Sequence, residues 1–217
     1  MMHKIAFFSV LLLCACSGGK KNITEKSEIV LLSEAIQNDP SNTALLLDRA
    51  NYNRELNNLE SALFDLNQCV QIDSLNSDFH YSVAEIYFEL SKRKNANGKY
   101  PSLVKNHLTK AIELDDKDQR PQALLGELML AYAKYKEAID YFNTSLKINY
   151  NQAKTHMLMG YAFKQLGQDD NAINCFRNAV NVNPEFKEGF VQLGQMFHVK
   201  GDTIALLYYN NALQLDS

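Results

Sequence analysis

The side chains able to do chemistry in this 217-residue chain are chiefly its four cysteines and five histidines. A thiolate acts as a nucleophile or metal ligand, and an imidazole acts as a general base or metal ligand. The sequence contains no Cys-x-x-Cys pair, no His-Glu-x-x-His motif and no Gly-rich phosphate loop. We therefore predict no catalytic residue, no metal site and no cofactor, and we expect a protein that is not an enzyme.

Two of the cysteines, Cys14 and Cys16, directly follow a short apolar run. Met1–Lys4 carries one lysine, and Ile5–Leu13 is almost entirely apolar. A basic start, a short apolar centre and small residues at the end are typical of a secretory signal peptide. The run is about half of the ~20 residues that a membrane-spanning helix needs, so it does not predict a transmembrane span.

The ending Leu-x-Ala-Cys at residues 13–16 resembles the lipobox of bacterial lipoproteins. The resemblance implies cleavage of the signal peptide 1–15, a diacylglycerol on the Cys16 thiol and an acylated new N-terminus, with palmitate as a typical chain. Residues 16–23 would form a lipidated tether. Ser17 resembles an outer-membrane sorting signal, which implies a periplasm-facing protein at the bacterial outer membrane. The alternative is an ordinary cleaved signal peptide with an incidental cysteine.

The composition describes a folded protein without a strong charge bias. Apolar residues make up 46% of the chain, and 22 basic against 25 acidic residues give a formal net charge of −3. This composition is too apolar for a disordered chain. It also lacks the basic field that nonspecific nucleic-acid binding requires, so we expect no nucleic-acid partner.

Small residues recur along the chain at Ala50, Ala84, Gly126, Gly160 and Gly194. The steps between them are 34, 42, 34 and 34 residues. Small side chains at such positions allow two helices to approach closely. A period in this range is typical of proteins built from stacked helical pairs.

A second set of repeated positions marks the other helix of each pair. There a small residue is followed four residues later by an apolar or aromatic one and three residues further by another small one, as in Ala172, Phe176 and Ala179. This spacing places the three side chains on one helical stripe. Each pair then has an apolar face that the next pair covers. The equivalents of Phe176 are Leu66, Leu108, Phe142 and Tyr209.

These spacings resemble the tetratricopeptide repeat, and the fullest copy is Ala153–Phe186. It contains Met159-Gly160, Ala172-x3-Phe176 and Asn183-Pro184. The resemblance implies an all-α fold, a right-handed α-solenoid of about five helical hairpins. An N-terminal capping helix is expected within 24–42, starting at Thr24. The array over 43–217 is expected to divide into 43–76, 77–118, 119–152, 153–186 and 187–217.

The second repeat is eight residues longer than the others, and the extra residues fall between its helices at 91–101. Four positive charges lie there, on Lys92, Arg93, Lys94 and Lys99. We favour a tolerated surface insertion, because lengthening a loop costs little. A basic contact loop is the alternative. Pro101 is expected to begin the second helix of this repeat.

The remaining histidines and cysteines fit packing positions. His80 and His156 share a repeat position that holds Leu46, Gln122 and Phe190 elsewhere, so we expect them to be buried rather than to bind a ligand. Cys69 lies at a small-residue position, and we interpret it, like Cys175, as a small apolar side chain.

The resemblance also implies a concave groove, lined by the first helices, that binds a peptide. The positions at which the family's carboxylate clamp has polar residues hold Leu47, Ser82 and Leu124, so binding of that kind is not implied. Coverage of Phe88 and Leu130 by neighbouring helices remains an open alternative. The expected groove residues are Asn51, Tyr81, Glu85, Phe88, Arg120, Glu127, Lys154, Met157, Tyr161 and Lys164.

The last predicted helix is as apolar as its internal counterparts. We expect Leu206, Leu207 and Leu213 to form an exposed edge that docks a partner or a second copy. The sequence thus predicts a membrane-anchored protein-interaction scaffold with an unidentified protein or peptide partner. The alternative is a structural homo-oligomer or assembly factor that uses this edge.

Overall fold

A computed structural model describes residues 21–93 and 98–215 of the chain. Within these ranges it has eleven helices and no strand, and α1 (Lys21–Asn38) precedes five helical pairs. The first helices of the pairs are α2 (Thr43–Glu55), α4 (Ser77–Ser91), α6 (Arg120–Ala131), α8 (Ala153–Gln165) and α10 (Lys187–Val199). The second helices are α3 (Leu59–Ile72), α5 (Tyr100–Leu114), α7 (Tyr135–Ile148), α9 (Asp169–Val182) and α11 (Ile204–Gln214).

The pairs stack in chain order. The two helices of each pair pack together, and each second helix also packs against the first helix of the next pair. The predicted all-α solenoid is therefore confirmed. Helix α1 begins three residues before the predicted start and packs against α2. Its Ile36 lies in an apolar cluster with Leu46, Cys69 and Phe79.

The two repeated columns of the sequence meet inside each pair. A Cβ atom added to Gly160 would lie 2.6 Å from the ring of Phe176, and one added to Gly194 would lie 2.5 Å from the ring of Tyr209. Real Cβ atoms do not approach other atoms this closely. The small residues are thus required by close helix packing, as predicted.

A third repeated position connects successive pairs. The residue that follows each of the first four second helices is an aspartate or asparagine whose side-chain oxygen accepts a hydrogen bond from the backbone N–H two residues later. Such turns satisfy backbone donors just outside the helix. The residues are Asp73, Asp115, Asn149 and Asn183.

The turns within four of the pairs contain a residue in the left-handed region. Gly167 and Gly201 have φ of 70°, whereas Asn57 and Ala133 have φ of 59° and 56°. A left-handed conformation costs an L-residue with a Cβ atom roughly 1–2 kcal/mol. Ala133 is therefore the most strained of the four positions.

The Ala133→Gly variant is expected to raise the free energy of unfolding by about 1 kcal/mol, because glycine adopts this conformation without a steric penalty. Chemical denaturation measures the change. Ala131→Gly, in the last turn of α6, is the matched control and is expected to destabilise the protein. A lower stability for Ala133→Gly would contradict the backbone geometry.

The described part of the insertion is held against the first pair. Arg93 Nη1 donates to Glu60 Oε1 at 2.5 Å, and Arg93 Nη2 donates to the Asn57 carbonyl oxygen at 3.3 Å. Pro101 lies in the first turn of α5, as expected. Lys94 falls outside the described residues. Arg93 therefore contributes to packing between the first two repeats.

Candidate functional site: a charged groove along the first helices

Successive first helices lie side by side. Helix α6 packs against both α4 and α8. Side chains of α2, α4 and α6 contact side chains of the next first helix, and α2, α4, α6 and α8 together form a continuous wall. Three side-chain contacts connect α2, α4, α6 and α8: Arg54 to Glu85, Tyr81 to Arg120, and Glu127 to Lys154.

A cavity of about 150 Å³ lies on this wall. Helices α2, α4, α6 and α8 all contribute to it, so it extends over four repeats. Five of its residues are among the ten predicted for the groove. The lining residues are Arg54, Tyr81, Glu85, Phe88, Glu89, Lys92, Leu124, Glu127 and Lys154.

An ion-pair network occupies one end of the cavity. Arg54 Nη1 donates to Glu85 Oε2 at 3.1 Å, and Arg54 Nε donates to Glu89 Oε1 at 2.9 Å. Burial opposes the charged form of Arg54, but the hydrogen bonds and charges of the two glutamates outweigh burial and raise its pKa. One guanidinium thus serves two carboxylates, which leaves this end with an excess of negative charge.

Tyr81 joins the network from α4. Its hydroxyl donates to Glu85 Oε1 at 3.1 Å. Burial, and then the charge of Glu85, raises the pKa of Tyr81, so the phenol stays protonated and remains a donor. The guanidinium of Arg120 lies over the ring, 4.7 Å from its centroid, and is also paired with Asp78 and Asp118.

The other end of the cavity is closed by an ion pair between α6 and α8. Lys154 Nζ lies 2.6 Å from Glu127 Oε1. The lysine side chain is largely exposed, whereas that of the glutamate is mostly covered. An exposed pair of this kind contributes little stability and exchanges readily with other charged groups. Lys154 and Glu127 are therefore available to a ligand.

Two apolar residues, Phe88 and Leu124, form the floor of the cavity, whose accessible lining is otherwise mainly polar. Phe88 is only 5% exposed and packs in a core cluster with Leu108 and Leu124. Neighbouring helices cover Phe88, so it is a floor residue rather than a free anchor. The Lys92 ammonium lies 3.8 Å from the centroid of the Phe88 ring. In the sequence Lys92 belongs to the insertion, but its position four residues after Phe88, just past the end of α4, places it at the groove.

Comparison with known proteins agrees with this architecture. The tetratricopeptide repeat family model matches residues 153–186, the copy with the fullest pattern. Human tetratricopeptide repeat protein 13 is 29% identical over 147 residues, which cover 66% of this chain but only 16% of that protein. The chain thus spans a small part of this relative's length.

Solved structures show the same fold. PilF of Pseudomonas aeruginosa has a TM-score of 0.69 at 17% identity, covering 81% of this chain and 77% of that chain. YrrB is described as a protein of this repeat class with an unusual peptide-binding site. It has a TM-score of 0.58 at 19% identity, and the match covers 85% of this chain and 91% of YrrB. Residues 153–186 thus match the tetratricopeptide repeat, and the described array has the fold of solved structures of that repeat class.

Five of the ten predicted groove residues lie outside the cavity. One of them, Arg120, lies over the ring of Tyr81. Asn51 is exposed on α2, and Lys164 is half-buried near the end of α8. Met157 and Tyr161 pack against the core between the fourth and fifth repeats. The Tyr161 ring meets the Phe176 ring edge to face at 5.6 Å. Tyr161 thus serves at least partly as a packing residue of this tetratricopeptide repeat.

The histidines at the shared repeat position are buried, as expected. His80 is 8% and His156 is 1% exposed. In each case Nε2 lies close to the backbone carbonyl oxygen six residues earlier, at 3.1 Å from Ser74 and 3.0 Å from Tyr150. This position of the tetratricopeptide repeat therefore connects a first helix to the preceding turn.

The cysteines of the described array are buried and free. Burial raises the pKa of both Cys69 and Cys175 to about 11, so both thiols stay protonated at neutral pH. Among the described residues, no group of three or more His, Cys, Asp or Glu side chains has the arrangement of a metal site. Cys14 and Cys16 lie outside the described residues.

The stability of the helical array is expected to fall as the pH drops from 7 to 5. Burial lowers the pKa of His107 and His156, and the charge of His80 lowers that of His107 further. The unfolded chain, whose histidines have an ordinary pKa near ~6.5, therefore takes up protons first. Thermal denaturation across this range measures the effect. In the His156→Gln variant, thermal stability should fall less steeply with pH. An unchanged slope would contradict a contribution of His156 to the pH dependence.

The leucines predicted at the C-terminal edge are exposed. Leu206 is 67% exposed, and Leu207 and Leu213 are exposed to a similar degree. They lie on α11, the second helix of the fifth pair. Across the part of the chain described by the structure, no helix combines the length and hydrophobicity needed to cross a membrane.

Proposed function

We propose that this protein is an interaction scaffold that binds a peptide segment of a partner in the groove of α2, α4, α6 and α8. The observation that carries this proposal is the cavity itself, which combines an apolar floor with a rim of exchangeable charges. Such a surface accommodates an apolar side chain of an extended or helical segment. The fold similarity to YrrB, whose description names a peptide-binding site, supports the proposal.

The charges of the groove favour a segment with a basic residue beside its apolar one. Arg54 is shared between Glu85 and Glu89, so one of the two carboxylates lacks a full countercharge. A lysine or arginine of the partner would supply it. Complementary charges of this kind set the orientation and the association rate more than the affinity.

Site-specific photo-crosslinking in cells tests this proposal. A photoreactive amino acid in place of Lys154, on the rim, is expected to capture a protein partner. The same amino acid in place of Lys105, which is also exposed and lies on the second helix α5, should capture none. Equal capture from both positions would contradict groove binding.

A charge reversal separates groove binding from nonspecific capture. Glu89→Lys removes one of the two carboxylates that pair with Arg54 and should abolish the crosslink from position 154. Glu113→Lys makes the same change on α5 and should leave the crosslink intact. Loss of the crosslink in both variants would indicate a bulk-charge effect and would overturn the proposed recognition of a basic residue.

We also propose that Cys16 carries the lipid that anchors this scaffold in the bacterial envelope, with the array facing the periplasm at the outer membrane. The support is the order of residues 1–16 and Ser17 in the sequence. Three acyl chains would make such an anchor effectively permanent. The groove would then hold its partner at a high local concentration near the membrane.

Metabolic labelling with palmitate tests the anchor. Cys16→Ser is expected to lose the label and to leave the membrane fraction, whereas Cys14→Ser is expected to keep both. Globomycin, which blocks processing of lipoproteins, should cause the unprocessed precursor to accumulate. A labelled, membrane-bound Cys16→Ser protein would contradict the proposal.

The second candidate function is that of a structural homo-oligomer, and the exposed leucines of α11 favour it. An exposed apolar patch is typical of an interface. Sedimentation analysis at increasing concentration tests it. A self-associating chain that becomes monomeric in the Leu206→Lys variant would support this role, and a monomer at all concentrations would exclude it.

A further inference from the structure

His80 and His107 face each other inside the second repeat. Nδ1 of His80, on α4, lies 3.1 Å from Nδ1 of His107, on α5, and the ring centroids are 5.3 Å apart. Nε2 of His80 lies 3.1 Å from the carbonyl oxygen of Ser74. Because a carbonyl oxygen only accepts, the hydrogen of neutral His80 is on Nε2. Its Nδ1 therefore directs a lone pair toward His107.

The contact of His80 Nε2 with a backbone carbonyl is one that metal-binding histidines also make. Imidazole ligands usually donate their second ring N–H to a backbone carbonyl or a carboxylate, which fixes the tautomer and the ring orientation. The Ser74 carbonyl has this role for His80. With metal–nitrogen distances of about 2.0–2.1 Å, two nitrogens on one ion lie about 2.9 Å apart at a right angle and about 3.3 Å apart at a tetrahedral angle. The observed Nδ1–Nδ1 separation of 3.1 Å lies between these two nitrogen–nitrogen distances.

We propose that Nδ1 of His80 and Nδ1 of His107 together bind a divalent cation of the zinc, nickel or copper class. These ions prefer imidazole nitrogen. The described residues provide no third His, Cys, Asp or Glu ligand, so water completes the coordination. His107 is only half-buried, which leaves room for water on its side.

Binding at neutral pH requires no net release of protons. In the cation-free protein, Nδ1 of His107 carries the hydrogen that it donates to His80. For His107 to become a ligand, this hydrogen moves to its Nε2 through solvent, and both rings remain neutral.

The bound cation would connect the two helices of the longest repeat. The loop between α4 and α5 holds the eight-residue insertion, which lengthens the connection between these helices. A link from His80 to His107 would fix α4 against α5 independently of that loop. The cation is therefore expected to raise the thermal stability of the protein.

His156 provides an internal control. It occupies the same repeat position as His80, and its Nε2 lies 3.0 Å from the Tyr150 carbonyl oxygen. Its Nδ1, however, has no hydrogen-bond partner, and its ring faces the ring of Tyr150 rather than another imidazole. His156 should not form such a site.

Calorimetric titration of the full chain with ZnCl2 or NiCl2 at pH 7.5 tests the proposal. The wild type is expected to contain a site whose affinity falls more than about tenfold in His107→Gln and is unchanged in His156→Gln. The variants also separate this site from any binding by residues outside the described ranges. Equal affinity in wild type and His107→Gln would overturn the proposal.

A spectroscopic measurement on the wild type avoids dependence on the folding of a variant. One equivalent of CuCl2 should give an electron paramagnetic resonance signal with coupling to two imidazole nitrogens. A signal without nitrogen coupling, or the signal of unbound copper, would contradict the proposed site.

Discussion

The Phe176→Ala variant is expected to lose about 3–5 kcal/mol of unfolding free energy. Phe176 is fully buried between α8 and α9, where its ring packs on Gly160 and meets the edge of Tyr161. Removing the ring leaves a cavity at the closest approach of the two helices. Because neighbouring repeats stabilise one another, the loss extends to the third and fifth pairs. Urea denaturation followed by circular dichroism measures it.

Phe64→Ala is the matched control. Phe64 is also a phenylalanine on a second helix, α3, but it is 64% exposed. Its replacement should change the unfolding free energy by no more than about 0.5 kcal/mol. Similar losses for the two variants would mean that the repeated aromatic position does not form the core of each pair.

The Arg49→Ala variant is expected to lose about 3 kcal/mol. Arg49 on α2 donates to both carboxylate oxygens of Asp65 on α3, at 2.9 and 2.7 Å, and to the Ser33 hydroxyl of α1 at 3.1 Å. The Asp65 side chain is only 2% exposed. Without the guanidinium, a buried carboxylate remains without its countercharge, and α1 loses a polar connection to the first pair.

A double variant separates the two contributions to this loss. Arg49→Met combined with Asp65→Leu removes both charges and should recover most of the stability, because the larger cost lies in leaving one charge alone. Lys110→Ala, which breaks an exposed ion pair with Glu113, should change the stability by about 0.5 kcal/mol or less. A loss for Arg49→Ala as small as that for Lys110→Ala would contradict the buried pair.

The repeat architecture could be predicted because its determinants are periodic in the sequence. Gly160 and Phe176 are separated by the same sixteen residues as Gly126 and Phe142, and each of these pairs meets in the structure. The groove itself was implied by the family resemblance, and helical spacing placed Tyr81, Glu85 and Phe88 on one face of α4. These features depend on the spacing of residues within each repeat, which can be read from a single sequence.

The pairing of charges could not be predicted in the same way. Arg54 reaches Glu85 and Glu89 from another repeat, and which side chains meet depends on how far one pair is rotated on the next. Asp65 has the sequence signature of a surface charge and is nevertheless buried. The contact of His80 with His107 depends on how α4 packs against α5. Such contacts depend on how the helices are oriented relative to one another, and the spacing of the repeated residues does not predict that orientation.

The central claim is that successive helical pairs stack in register and bring their first helices together as one groove wall. Zero-length carbodiimide crosslinking with mass spectrometry tests it on the unmodified chain, because it joins only amines and carboxylates in direct contact. We predict amide bonds between Lys154 and Glu127, and between Lys200 and Asp170, whose charged atoms are 2.6 and 3.0 Å apart. Glu127→Gln should remove only the first bond. Crosslinks from Lys154 to carboxylates of distant repeats, such as Asp48 or Glu60, without the bond to Glu127 would contradict the account.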